Sequence, residues 1–70
     1  MTGEQLTETL SLKVRNVRQL QVLASEDGVY TLRGVTDRYY FKQLAQHSLV
    51  GLLTENSVTH TRIVNEIEVK

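Results

Sequence analysis

Apolar positions recur along this chain in two distinct rhythms. Leu6, Leu10, Val14 and Val17 succeed one another at intervals of four, four and three, which lines up one face of a helix. Thr2 and Gln5 stand at capping-box spacing ahead of them, so the pattern predicts a helix over about 4 to 16. The rhythm then changes to two. Leu20, Val22 and Ala24 alternate with Gln21, Leu23 and Ser25, and after Glu26-Asp27-Gly28 a β-rich run extends from Val29 to Val35. Two alternating runs around Asp-Gly predict a hairpin turning at Asp27-Gly28, where a two-residue turn needs positive φ at both positions.

The helical rhythm returns at Phe41, Leu44, Ala45, Ser48 and Leu52, and Thr36 or Asp37 stands where a cap is needed. A second helix is predicted over 37 to 53. Beyond the polar stretch Thr54 to Ser57, the segment from Arg62 to Val69 alternates again. Ile63, Asn65, Ile67 and Val69 fall on one side, and Val64, Glu66 and Glu68 on the other. The order is α-β-β-α-β. It closes most simply as an α+β two-layer sandwich, with both helices on one face of a three-stranded mixed sheet and the last strand parallel to one hairpin strand.

Length and composition narrow the picture. Seventy residues, 40% of them apolar, give 28 side chains for a core, enough for one domain spanning 1 to 70. A deep catalytic pocket would compete with that core for the same residues. Eight basic and eight acidic residues cancel, which argues against the broad basic footprint of sequence-independent nucleic-acid binding. The absence of cysteine removes thiol catalysis, disulfides and thiolate metal sites. The longest apolar stretch, Leu49 to Leu53, is too short to span a bilayer, and Met1 to Gln5 lacks the basic start of a signal peptide. No internal repeat or low-complexity linker interrupts the chain.

Three short motifs carry a resemblance. Gly28-Val29-Tyr30-Thr31-Leu32-Arg33-Gly34-Val35 has a glycine, alternating-apolar, glycine pattern. Lys42 and Ala45 come next, in the second helix, and Val64-Asn65-Glu66-Ile67-Glu68-Val69 closes the series. In this order they resemble the BON domain, a small bacterial α/β module, over about Leu20 to Val69. The segment Val58 to Arg62 departs from that pattern, which usually places a Gly-Val just after the second helix. The resemblance implies a non-enzymatic binding module attaching to phospholipid or membrane surfaces, in the periplasm or envelope of bacteria, with no cofactor.

Individual residues divide by their chemistry. Gly28 and Gly34 have backbone explanations: positive φ in the turn for the first, close approach of a helix to the sheet for the second. Asn65 shares a strand face with Ile63 and Ile67, so its amide needs partners, expected from the backbone of a nearby loop or helix end. His47 and His60 lack the neighbours a zinc site requires and read as surface imidazoles. No nucleophile motif accompanies the serines and histidines, so no catalytic residue is assigned. The Gly-x-x-Gly clamp of KH-type RNA binding is missing as well.

If Phe41, Leu44, Ala45, Ser48 and Leu52 face the sheet, Tyr39, Lys42, Gln46, Val50 and Leu53 turn outward. A tyrosine, a lysine and two aliphatics along one wet helix face predict an interfacial or partner-binding stripe. The sheet face away from the helices, carrying Leu23, Val29, Val35 and Val64, is the second candidate. It supports the alternative function, a protein-interaction or ring-building homo-oligomerisation domain of a larger envelope protein.

Overall fold

The computed structural model describes residues 2 to 58 and 61 to 70. Two helices, α1 (Gly3–Lys13) and α2 (Tyr39–Glu55), accompany four strands: β1 (Arg18–Ala24), β2 (Val29–Thr36), β3 (Arg62–Asn65) and β4 (Glu68–Val69). The fold is α+β. Strand β2 is central, antiparallel to β1 and parallel to β3 and β4. The predicted last strand is divided into two pieces, but both keep one register along β2: Val29 pairs with Arg62, Leu32 with Asn65 and Thr36 with Val69.

Helix α1 starts where the Thr2 box predicts. The Gln5 amide donates to Thr2 Oγ1 at 3.1 Å, and the Thr2 amide donates to Gln5 Oε1 at 3.0 Å. The helix ends at Lys13, short of the expected 16. Val14 and Val17 are buried nonetheless, as anchors of the connection into β1 rather than as helical residues.

The hairpin turn differs in type from the expectation. Gly28 has φ 78°, but Asp27 is not at positive φ. Ser25 and Val29 close a three-residue loop, with the Ser25 amide donating to the Val29 carbonyl at 2.9 Å and the Gly28 amide to the Ser25 carbonyl at 3.3 Å. A turn ending in one left-handed residue is the usual three-residue solution, and it needs glycine only at its last position.

Gly34 also differs. A Cβ there would come within 2.6 Å of Val17 Cγ1 and 3.1 Å of the Arg18 carbonyl oxygen. What approaches closely is the entry to β1, not a helix. The same place holds a register shift between Arg18 and Gln21, with Gln19 at φ 56°, so a bulge bends β1 over Gly34.

One core joins the layers. Leu6 and Leu10 from α1, Val22 and Leu32 from the sheet, and Ala45, Leu49, Leu52 and Leu53 from α2 are buried together with Ile67. The buried face of α2 is therefore rotated from the predicted one, toward Leu49 and Leu53. Phe41 and Leu44 lie at its margin, only partly covered, and Ser48 is half-buried. Its ends differ from expectation too. The N-cap is Arg38, with no side-chain cap, and neither Thr36 nor Asp37 takes that role. Thr36 is buried, and its hydroxyl donates instead to the Asn16 carbonyl at 3.0 Å.

Candidate functional site

The predicted outward stripe of α2 is broken by the rotation of that helix. Tyr39 is 60% exposed and Val50 45% exposed, as an outward face requires, but Leu53 is 2% exposed and belongs to the core. Its assignment to a membrane or partner face is thereby corrected: Leu53 sits one turn after Leu49 and beside Leu52, and those three leucines make the strongest apolar arc the helix has. Lys42 and Gln46 are tied to the sheet. The Asn65 Nδ2 donates to the Lys42 carbonyl at 3.0 Å and to Gln46 Oε1 at 3.2 Å, while Asn65 Oδ1 accepts from the Ile67 amide at 3.1 Å. Both polar atoms of the Asn65 side chain are used, Nδ2 in holding the last strand to α2 and Oδ1 in closing the bend to Ile67, which gives its amide a structural role.

A different surface gathers at the junction of the α1 C-terminus and the α2 N-terminus. Antiparallel pairing of β1 with β2 sets Arg18 opposite Val35, so the loop entering β1 and the loop leaving β2 must lie at the same end of the sheet. The Thr36 hydroxyl bonded to Asn16, with Val14 and Val17 buried on either side, fixes the entering loop there. Arg15 from that loop, Arg18 at its junction with β1, and Arg38 from the other loop then line one cleft of about 460 Å³, with Asn16, Asp37 and the edge of Phe41.

Apolar surface continues from this cleft. Leu12, 71% exposed, stands over a hollow walled by Lys13, Phe41 and Leu44, and Leu44 is shared with a second hollow bounded by Tyr40 and His47. Tyr40 is 65% exposed and meets the ring of Phe41 edge-on at 5.3 Å. Of three tyrosines and one phenylalanine in the chain, three fall in the consecutive run Tyr39 to Phe41. Exposed Leu12 and Tyr40 are joined through half-buried Phe41 and Leu44, with Lys13, Arg15, Arg18 and Arg38 bordering the Leu12 and Phe41 side and Gln43, Gln46 and His47 the Tyr40 side. His47 is exposed beside it, whereas His60 lies outside the described residues.

Charge is distributed to match. Four of the eight basic residues rim this end, whereas Glu26 and Asp27 occupy the hairpin turn at the far end of β2, and Glu55 closes the far end of α2. Among the described residues the ion pairs are Arg33 with Glu66 at 3.0 Å and Lys70 with Glu68 at 3.1 Å. Arg15, Arg18 and Arg38 take part in neither. A net charge of zero thus conceals a basic end, which whole-chain arithmetic cannot register.

On the other face of the sheet, Leu23, Thr31 and Val64 form one row across three strands, and Gln21, Arg33 and Glu66 lie together beside it. The Arg33–Glu66 pair bridges two strands on the surface and contributes at most about 1 kcal/mol. Among the described residues, no three His, Asp or Glu side chains gather to hold a metal ion, and no helix is long and apolar enough to cross a membrane. Compared with known proteins, the chain matches no family model, no curated protein and no solved structure. The likeness to BON domains therefore rests on its three short motifs.

Proposed function

We propose that this chain is a non-enzymatic module that attaches to anionic phospholipid surfaces through the end where α1 finishes and α2 begins. The observation that carries this reading is exposed Leu12 beside Lys13 and Arg15, in a hollow that shares Phe41 with the cleft of Arg18 and Arg38 and Leu44 with the hollow of exposed Tyr40. Apolar and aromatic tips enter the headgroup boundary while cations meet the lipid phosphates, and long basic side chains reach outward along the way. The resemblance to BON domains adds a bacterial envelope setting to the proposal.

Magnitudes suit a weak peripheral attachment. Fully burying a leucine or aromatic side chain is worth about 1.5 to 3 kcal/mol, and each basic residue near an anionic surface about 1 kcal/mol. Part of each contribution is offset by ordering and by the loss of free tumbling, so a single copy attaches reversibly. The test is co-sedimentation with vesicles containing an anionic lipid. The wild-type chain pellets with them, Leu12→Ser with Tyr40→Ser reduces pelleting at least tenfold while the melting temperature holds, and added salt weakens the remainder. Full binding by that double variant removes the proposal.

The open sheet face supports a second reading, self-association, because Leu23 is exposed there next to half-buried Val29 and Val64. Sedimentation velocity separates the two. A mass that rises with concentration and falls in Leu23→Lys favours self-association, and a monomer that pellets only with lipid favours attachment.

A further inference from the structure

We infer that the cleft between Arg15, Arg18 and Arg38 is a binding site for a terminal phosphate group, one carrying two negative charges. This rests on the attachment reading and deepens it by naming the group recognised, and it also applies to a phosphorylated molecule free in solution. Three arginines line one concave space, Arg15 and Arg18 from the segment entering the hairpin and Arg38 from the segment leaving it, and the single carboxylate lining it, Asp37, leaves three minus one, or two positive charges. Neither ion pair among the described residues consumes any of the three. The planar fork of a guanidinium matches adjacent phosphate oxygens two at a time, which an ammonium cannot do, and here every basic group lining the cleft is an arginine.

The backbone that carries Arg15 and Arg18 is anchored. Asn16 is held by the buried Thr36 hydroxyl, and Arg15 and Arg18 flank it beside the buried anchors Val14 and Val17. Arg38 is the N-cap of α2, whose opening turn contains no acidic side chain and no side-chain cap, so Asp37 is the one carboxylate an incoming anion meets in the cleft. Asp37 sets the preference. A doubly charged phosphate neutralises the cleft, whereas a singly charged diester leaves it one charge short, and a hydroxyl on the ligand finds an acceptor in the carboxylate.

Amide and arginine side-chain NMR spectra of the chain, titrated with pyrophosphate and with inorganic phosphate, test this directly. Saturable shifts are expected at Arg15, Arg18 and Arg38 and at the amides of Tyr39 and Tyr40. Arg18→Gln with Arg38→Gln weakens binding tenfold or more, Asp37→Asn strengthens it severalfold, and Arg62→Gln at the far end of the sheet leaves it unchanged. Shifts of equal size at Arg33 and Arg62, or their reproduction by sodium chloride at matched ionic strength, overturn the site. Vesicles carrying a phosphomonoester lipid, compared with vesicles carrying only a diester lipid, separate the sources. Saturable pyrophosphate binding without vesicle binding keeps the cleft and removes the membrane reading. Vesicle binding that survives the arginine double variant, in a chain insensitive to pyrophosphate, does the reverse.

Discussion

The two ends of α2 are built on different terms. At its C-terminus the last carbonyls are closed. The Val58 amide donates to the Leu53 carbonyl at 2.8 Å, the Ser57 amide to that of Thr54 at 3.1 Å, and Asn56 Nδ2 to that of Leu52 at 2.8 Å. Leu49, Leu52 and Leu53 anchor the same half in the core. At its N-terminus the cap is an arginine without a capping bond, and Tyr39 and Tyr40 stand in solvent. One helix thus divides its labour: its later turns hold the fold, and its first turn is left free to meet something else. Residues at an end that stability does not claim are the ones to examine for binding.

Substitutions can break this contrast. The largest effect belongs to the anchoring half, where Leu53→Ala should cost about 2 to 5 kcal/mol, most of what a domain of this size has, measured by urea unfolding. An unchanged midpoint would return Leu53 to the surface stripe. Next comes the bend of β1: Gly34→Ala forces a methyl against Val17 and the Arg18 carbonyl and should cost about 1 to 3 kcal/mol by the same measurement. Its effect should also reach the arginine cleft, because Val17 is one of the anchors of that loop. Smaller changes are expected at the helix ends, with opposite lessons. Ser57→Gly removes a non-glycine residue from φ 59° and should stabilise by about 0.5 to 1 kcal/mol, with no change in binding. Arg38→Ser supplies the missing cap and should stabilise by about 0.5 to 1 kcal/mol while weakening phosphate or vesicle binding. Loss of stability in Arg38→Ser would show that the arginine serves the fold. Smallest of all, Val50→Ser should move neither the melting temperature nor vesicle pelleting.

The helices, the hairpin and the final extended segment were legible because alternation, Asp-Gly and the capping box are local signals, but they left open which hairpin strand the last segment joins, and β2 takes it. The rotation of α2 was harder to read. Phe41, Leu44 and Ser48 repeat as helically as Leu49, Leu52 and Leu53 do, and periodicity alone ranks both arcs alike. Counting bulky aliphatics would have favoured the second arc, since serine adds nothing to a core. The basic cleft was missed because its residues are distant in the chain and disappear in a net charge of zero. Topology offered the missing signal: in a hairpin, the segment before the first strand lies beside the segment after the second, and arginines stand in both.

The Asn65 amide has a consequence for how far this sheet can extend. By turning back to accept the Ile67 amide, it occupies a donor that an added strand would need, and the outer strand is split there into pieces of four and two residues. On the opposite border, the Val22 amide of β1 donates to the Thr7 hydroxyl of α1 at 2.8 Å. Both borders are plugged by side chains from within the molecule. Pairing with a strand of another copy is disfavoured at both borders.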